Sequence, residues 1–236
     1  MFSAIKPFLD LCRVSNLPTV WTNTLAAVIL SGAEFSWSSF LVLFFSLTFF
    51  YSGGMCLNDI LDAPADRVNQ PFRPIPSDRI SMKIASVFTG ILLTAGMALL
   101  LLVPYKNAIW GGFLLLVLII VYDKYHKEHP LSVILMAACR LMIFVISAAA
   151  VSGSIGLYAA IAGSLQFVYV LIISLVARHE NNSKEPFPFP VIPIMIASIS
   201  LLDGMAMALL ASPAWLIAGV GGALFTHFGQ RYVRGD

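Results

Sequence analysis

Eight apolar runs follow one another along this chain, and they leave it little choice of environment. They cover approximately Leu17 to Leu30, Ser39 to Leu57, Met82 to Val103, Asn107 to Tyr122, Leu131 to Val151, Ile155 to Val176, Pro190 to Leu210 and Ala214 to Phe228. Each is long enough, or nearly so, to cross a bilayer core of about 30 Å as a helix. The first and last are short and need tilt or help from interfacial flanks. With 59% hydrophobic and 11% charged residues among 236, and a mean hydropathy of +0.88, the bulk of the chain belongs in lipid rather than in a soluble core. The expected fold is all-α: a polytopic transmembrane bundle of about eight spans, forming one membrane-embedded domain over residues 1–236.

Lysine and arginine orient such a bundle, because in short loops they stay on the cytoplasmic side. Lys6, Arg13, Arg67, Arg73, Arg79, Lys83, Lys124, Lys127, Arg178, Lys184, Arg231 and Arg234 fall in the two termini and in alternate loops, whereas the opposite loops hold only Lys106. Both termini and the loops after the second, fourth and sixth spans are therefore expected in the cytoplasm. Phe2, Ile5, Phe8 and Leu9, set among Lys6, Asp10 and Arg13, read as an amphipathic helix lying on the membrane surface. No uninterrupted apolar stretch precedes a small-residue cleavage site, so a cleavable signal peptide is not expected. A net charge of +2 gives no nucleic-acid footprint. Cys12, Cys56 and Cys139 read as packing residues rather than a disulfide or zinc framework. The charged loops after spans two and six stand at equivalent places in two four-helix halves, a faint sign of duplication.

The chemistry concentrates in eighteen residues, Asn58 to Ile75, where carboxylates and arginines crowd together beside an apolar run. Asn58, Asp62 and Asp66 recur every fourth residue, which places their oxygens on one face of a helix. Hard oxygen ligands so spaced suit Mg²⁺, which keeps waters and shares substrate phosphates with one or two carboxylates. Asp59 is expected to point away and orient the others. Arg67, Arg73 and Lys127 can contact phosphate oxygens, arginine by a bidentate fork and lysine as a mobile point charge. Pro64, Pro71, Pro74 and Pro76 cannot continue a helix without losing hydrogen bonds, so the helix should end here and a rigid connector begin. A solvated acidic helix end is the plainer reading of the carboxylates alone.

Asn58-Asp59-x-x-Asp62-x-x-x-Asp66, followed by Asn69-x-Pro71-x-Arg73-Pro74-Ile75-Pro76-Ser77, resembles the signature of the UbiA-type intramembrane prenyltransferases. Similarity extends to Arg13-x-x-Asn16-Leu17-Pro18 before the first span and to Tyr122-x-x-x-x-Lys127 ending the fourth. The resemblance implies a helical bundle around a central cavity open to the cytoplasmic side, Mg²⁺ as cofactor, and transfer of an isoprenyl group from its allylic diphosphate to a small, possibly aromatic, acceptor. It also implies nine spans. Eight leave room for a groove that a protein partner could fill.

The second cytoplasmic loop departs from that pattern. Where the family carries another aspartate-rich motif, this chain reads Arg178-His179-Glu180-Asn181-Asn182-Ser183-Lys184-Glu185. Glu180 could still ligate a metal, His179 could act as acid or base, and Arg178 could meet phosphate; an ordinary hydrated loop explains the same residues. Catalytic roles are expected of Asp59, Asp62, Asp66, His179 and Glu180, and metal ligation of Asn58, Asp62, Asp66 and Glu180. Two ionisable residues, Arg140 and Asp203, fall within spans five and seven, at depths that permit an ion pair. Arg140 could instead attract an anionic substrate. Asn16 and Asn23 could hydrogen-bond an acceptor or merely a neighbouring helix. Trp21, Phe44, Phe45, Phe49, Phe50 and Tyr51 could shield an allylic cation, although most should pack or face lipid.

The expected activity is thus Mg²⁺-dependent prenyl transfer within the membrane, with an isoprenyl diphosphate, a small acceptor and membrane lipids as partners. A catalytically degenerate isoprenoid carrier on the same scaffold is the alternative. A transporter needs none of the Asn-Asp and Arg-Pro-Ile-Pro sequence, and the Asp-Gly-x-x-Ala-Arg arrangement of CDP-alcohol phosphotransferases is missing from both loops.

Overall fold

In the computed structural model the described residues are 2–126, 129, 131–182 and 189–233, with the side chains of 2–4, 181 and 182 left aside. Among them are nine α-helices: α1 Phe2–Leu11, α2 Leu17–Leu30, α3 Trp37–Asn69, α4 Met82–Leu99, α5 Asn107–Tyr125, α6 Ser132–Ser152, α7 Leu157–Asn182, α8 Val191–Leu210 and α9 Leu216–Gly229. The eight apolar runs correspond to α2 through α9. Six of them, α3 to α8, are long and apolar enough to cross a membrane. Helices α2 and α9 have 14 residues each, about 21 Å of rise.

Helix α2 is the hub, packed against α3, α6, α7, α8 and α9, and most of its length is buried, including Thr19, Thr22, Asn23 and Thr24. A short polar helix of this kind could not face lipid unaided, and wrapping it with longer apolar helices is what makes it tolerable. The main apolar core fills the space between α2, α3, α5 and α6, with Leu43, Leu47, Phe50, Leu115, Ile119, Met142 and Ile146 at its centre. Trp110, Leu157, Leu209, Ile217 and Phe225 point outward and are strongly exposed, the inverse of a soluble domain and the pattern expected of a lipid-facing belt. Helices α8 and α9 meet backbone to backbone, because a Cβ on Gly219 would stand 2.6 Å from Gly204 Cα. Only small residues permit that approach.

The N-terminal helix does more than rest on a surface. Phe8 packs edge-on against Phe88 of α4 at 5.3 Å, and Leu11 and Cys12 enter a second core with Cys56, Ala63, Ile75 and Ile80. That core also seats the connector between α3 and α4. Helix α3 runs through Pro64 and stops at Asn69, one turn beyond the first of the helix-breaking prolines. A proline within a helix forfeits one backbone bond and bends the axis, and the extra turn keeps Asp66 helical, one turn beyond Asp62. The connector then folds back on itself, with Ile80 N donating to Pro74 O at 3.1 Å, and Ser81 caps α4 by accepting from Ile84 N. Lys6 Nζ donates to Tyr232 O at 3.0 Å and Gln230 Nε2 to Asn16 Oδ1 at 3.2 Å. Both ends of the described chain therefore lie at the same end of the bundle.

Candidate active site

Four aspartates gather at that end. Asn58, Asp59, Asp62 and Asp66 are all buried on the last turns of α3, and Asp123 is buried on the last turn of α5. The i, i+4 spacing does place Asn58, Asp62 and Asp66 along one stripe, but Asp59 does not point away as expected. Its Oδ1 receives Arg13 Nη2 and Arg73 Nη1, each at 3.4 Å. Arg73 is the keystone: besides Asp59 it reaches Asp66 Oδ2 at 2.6 Å and Asp62 Oδ2 at 3.9 Å. All three carboxylates are approached by the same nitrogen, Nη1, which the planar guanidinium holds among them. Arg13 is delivered by a left-handed backbone, φ 47° and ψ 50°, which is costly for a residue with a Cβ and so is held by its surroundings.

Helix α5 supplies the opposite wall. Asn58 Nδ2 donates to Asp123 Oδ1 at 3.3 Å, while Asp123 Oδ2 is buried with no hydrogen-bond partner among the described residues. His126 Nε2 stands 3.4 Å from Asp62 Oδ2, and its Nδ1 lies 3.0 Å from Asp123 O. Asp123, His126 and Arg13 were not among the site residues expected from sequence. Their signal was available, since Asp123 and His126 sit three apart inside the Tyr122-to-Lys127 stretch and Arg13 opens the Arg-x-x-Asn motif. Lys127 itself lies outside the described residues.

The other expected site residues divide sharply. Arg67 is exposed on α3, away from the stripe. Arg178 Nη1 reaches His129 O at 3.5 Å, which ties the end of α7 to the α5–α6 connection. His179 is exposed and Glu180 half-buried on that same last stretch of α7. Asn16 accepts from Gln230 near the chain ends. Arg140 and Asp203 do not form the direct ion pair that their depths permitted. Asn23 stands between them, its Oδ1 accepting from Arg140 Nη1 at 2.9 Å and its Nδ2 donating to Asp203 Oδ2 at 2.7 Å. Thr22 Oγ1 and Gln166 Nε2 complete the Asp203 carboxylate at 2.7 and 2.8 Å. Of the aromatic residues expected near a cation, Tyr51 lies under Arg140 at 5.7 Å, whereas Trp21 stacks on Phe44 and Phe45 is exposed.

A buried carboxylate array bridged by arginines, at one end of a membrane bundle, can bind a cation and a phosphate together. The profile of the UbiA prenyltransferase family matches residues 18–233. The chain belongs to that family. Digeranylgeranylglyceryl phosphate synthase from Methanococcus aeolicus is 32% identical over 152 residues, covering 62% of this chain and 53% of that protein. The protein of the same name from Methanococcus vannielii is 38% identical over 126 residues, covering 52% and 43%. This chain thus spans about half the length of the curated relatives it matches. Among solved structures, one of digeranylgeranylglyceryl phosphate synthase shares the fold at a TM-score of 0.63 and 20% identity, over 98% of this chain and 95% of that one. A UbiA homolog from Archaeoglobus fulgidus, bound to GPP and Mg²⁺, gives 0.62 and 15% over 96% and 99%. At such identities the likeness is one of fold, and it extends the bundle's family resemblance over nearly the whole chain.

Proposed function

We propose that this chain is a Mg²⁺-dependent membrane prenyltransferase that moves an isoprenyl group from an allylic diphosphate to a small acceptor. The observation that carries this reading is the array at the α3 and α5 ends, where four buried aspartates meet Arg13, Arg73 and His126. Among the described residues no three His, Cys, Asp or Glu side chains converge closely enough to hold an ion alone. That suits Mg²⁺, whose shell is commonly completed by substrate phosphates and water. Asp62, which His126 and Arg73 approach at 3.4 and 3.9 Å, and Asp66 would hold it. The unpartnered Asp123 Oδ2 adds a third oxygen to the same wall. Asn58 contributes by fixing Asp123. The Archaeoglobus homolog, bound to GPP and Mg²⁺, supports the same pairing of donor and metal.

When bound, Mg²⁺ supplies Lewis acidity that neutralises the departing diphosphate. Arg73 already stands within one fork of three carboxylates and can turn a guanidinium edge to phosphate, with Arg178 approaching from α7. The allylic C–O bond breaks with its electron pair leaving on the diphosphate, the acceptor's oxygen forms the new bond to carbon, and Asp59 takes the proton that this oxygen loses. The relatives' name designates a prenylated glyceryl phosphate, so a glyceryl phosphate bearing one prenyl chain is the first acceptor to test. By the distribution of lysine and arginine, the array faces the cytoplasm. His179 and Glu180 are assigned a supporting part on the α7 side.

The test is transfer of radiolabelled geranylgeranyl groups by purified protein, with Mg²⁺ or with EDTA. Labelled ether product with Mg²⁺ alone is the expected result. Binding of donor without product for any acceptor tried would turn the reading toward a carrier.

A further inference from the structure

Beside the Asp59–Arg73 contact lies a partly enclosed pocket of about 210 Å³ between α1 and the α3–α4 connector. Its charged lining is Lys6, Asp10, Arg13, Asp59, Arg73 and Arg79. Four cations face two carboxylates, a net charge of +2. Phe72 and Pro74 close one wall. The cations are pinned at the edges: Arg79 donates through Nη2 to Phe72 O at 2.6 Å and through Nε to Ser77 Oγ at 3.0 Å. Its approach to Asp10 is longer, 3.6 Å. Arg13 and Arg73 approach Asp59 at only 3.4 Å. Preorganised donors around a pocket with surplus positive charge favour an anion.

We infer that this pocket binds the phosphate monoester of the acceptor, next to but distinct from the donor's site. The inference rests on the prenyltransferase reading above. A singly esterified phosphate carries about −1.5 to −2 charges at neutral pH and offers three acceptor oxygens, matching the surplus of the lining where a carboxylate would leave it half compensated. Asp59 is shared by the two sites. It borders the pocket and lies one turn from Asp62, so an acceptor anchored here by phosphate presents its hydroxyl past Asp59 toward the allylic carbon. An anionic lipid headgroup has the same chemistry, and the experiment separates the two sources.

Full-length protein in phosphatidylcholine nanodiscs is titrated with radiolabelled glycerol phosphate and, separately, with geranylgeranyl diphosphate plus Mg²⁺. Wild type is expected to take up one glycerol phosphate per chain. Arg79→Gln and Lys6→Gln should each weaken that binding, Arg79→Gln by about tenfold as expected for a lost charged hydrogen-bond partner, while Asp10→Asn should strengthen it. Diphosphate binding should stay unchanged in all three. Because Asp10→Asn is expected to gain affinity, a folding defect cannot imitate its effect. Equal glycerol phosphate binding by wild type and all variants, or parallel loss of diphosphate binding, would overturn the assignment. Discs containing one tenth phosphatidic acid should bind glycerol phosphate as tightly as discs of matched surface charge made with phosphatidylglycerol, a phosphodiester; selective loss with phosphatidic acid would give the pocket to a lipid headgroup and overturn the acceptor assignment. Glycerol phosphate binding without pyrophosphate release from any allylic donor would instead count against the transferase reading alone.

Discussion

Two groups of buried charge sit in this bundle, one deep between α2, α6, α7 and α8 and one at the mouth between α3 and α5, and they are finished differently. In the deep group both carboxylate oxygens are satisfied by short contacts, and the orphaned atom among the described residues is a neutral one, the buried Gln166 Oε1. Asp203 accepts from Thr22, Asn23 and Gln166 at 2.7 to 2.8 Å, and Arg140 donates to Asn23 and Thr19 at 2.9 and 2.8 Å. At the mouth Arg73 meets Asp66 at 2.6 Å, while its approaches to Asp59 and Asp62, and those of Arg13 to Asp59 and His126 to Asp62, run from 3.4 to 3.9 Å. Asp123 Oδ2 is buried without a partner there. A satisfied network rigidifies its surroundings, whereas an unfinished one stores interaction for a ligand.

The largest effect should come from breaking the finished group. Asp203→Ala leaves the Asn23 and Gln166 amides and the Arg140 charge uncompensated in a dry interior, and should cost about 3–5 kcal/mol of stability. Thermal unfolding in detergent would show it, with near-normal turnover per folded molecule. A stable but inactive Asp203→Ala protein would erase the contrast. At the mouth the expectation reverses. Asp62→Ala should lower product formation on the order of 10²–10³-fold, the loss typical of one electrostatic contact to developing charge, with little change in unfolding temperature.

Arg73→Lys sharpens the contrast further. Lysine keeps the charge but lacks the planar guanidinium, whose further donors can meet a phosphate while Nη1 stays among the carboxylates, so the donor KM should rise about tenfold or more while the protein still folds. Steady-state kinetics at fixed Mg²⁺ would measure it. The smallest effect belongs to Arg67→Gln. Arg67 follows Asp66 in sequence yet is exposed, and exposed charges contribute about 0–1 kcal/mol, so kcat/KM should move by no more than about fivefold.

The bundle was legible because lipid imposes one rule on every span, and the eight runs needed no knowledge of neighbours. The polar stripe was legible for a similar reason: Asn58, Asp62 and Asp66 belong to one helix, whose period fixes their side. What could not be read was any arrangement made across helices. Asp59 turns inward because Arg13 arrives from the start of the chain, and Asn23 separates Arg140 from Asp203 because α2 runs through the centre. Asp123 lies 65 residues from Asn58, and nothing local announces that they meet. Pro64 stays helical where a break was expected: the largely exposed turn beyond it continues to Asn69, with Asp66 buried and held by Arg73 at 2.6 Å.

The central claim is that carboxylates at the mouth grip the donor's diphosphate through a divalent ion. Equilibrium binding of geranylgeranyl diphosphate to wild type and to Asp62→Ala, each with Mg²⁺ and with EDTA, tests it most directly. Tight binding by wild type with Mg²⁺, and weak binding in the other three conditions, is the expected result. Equal affinity in all four would contradict it.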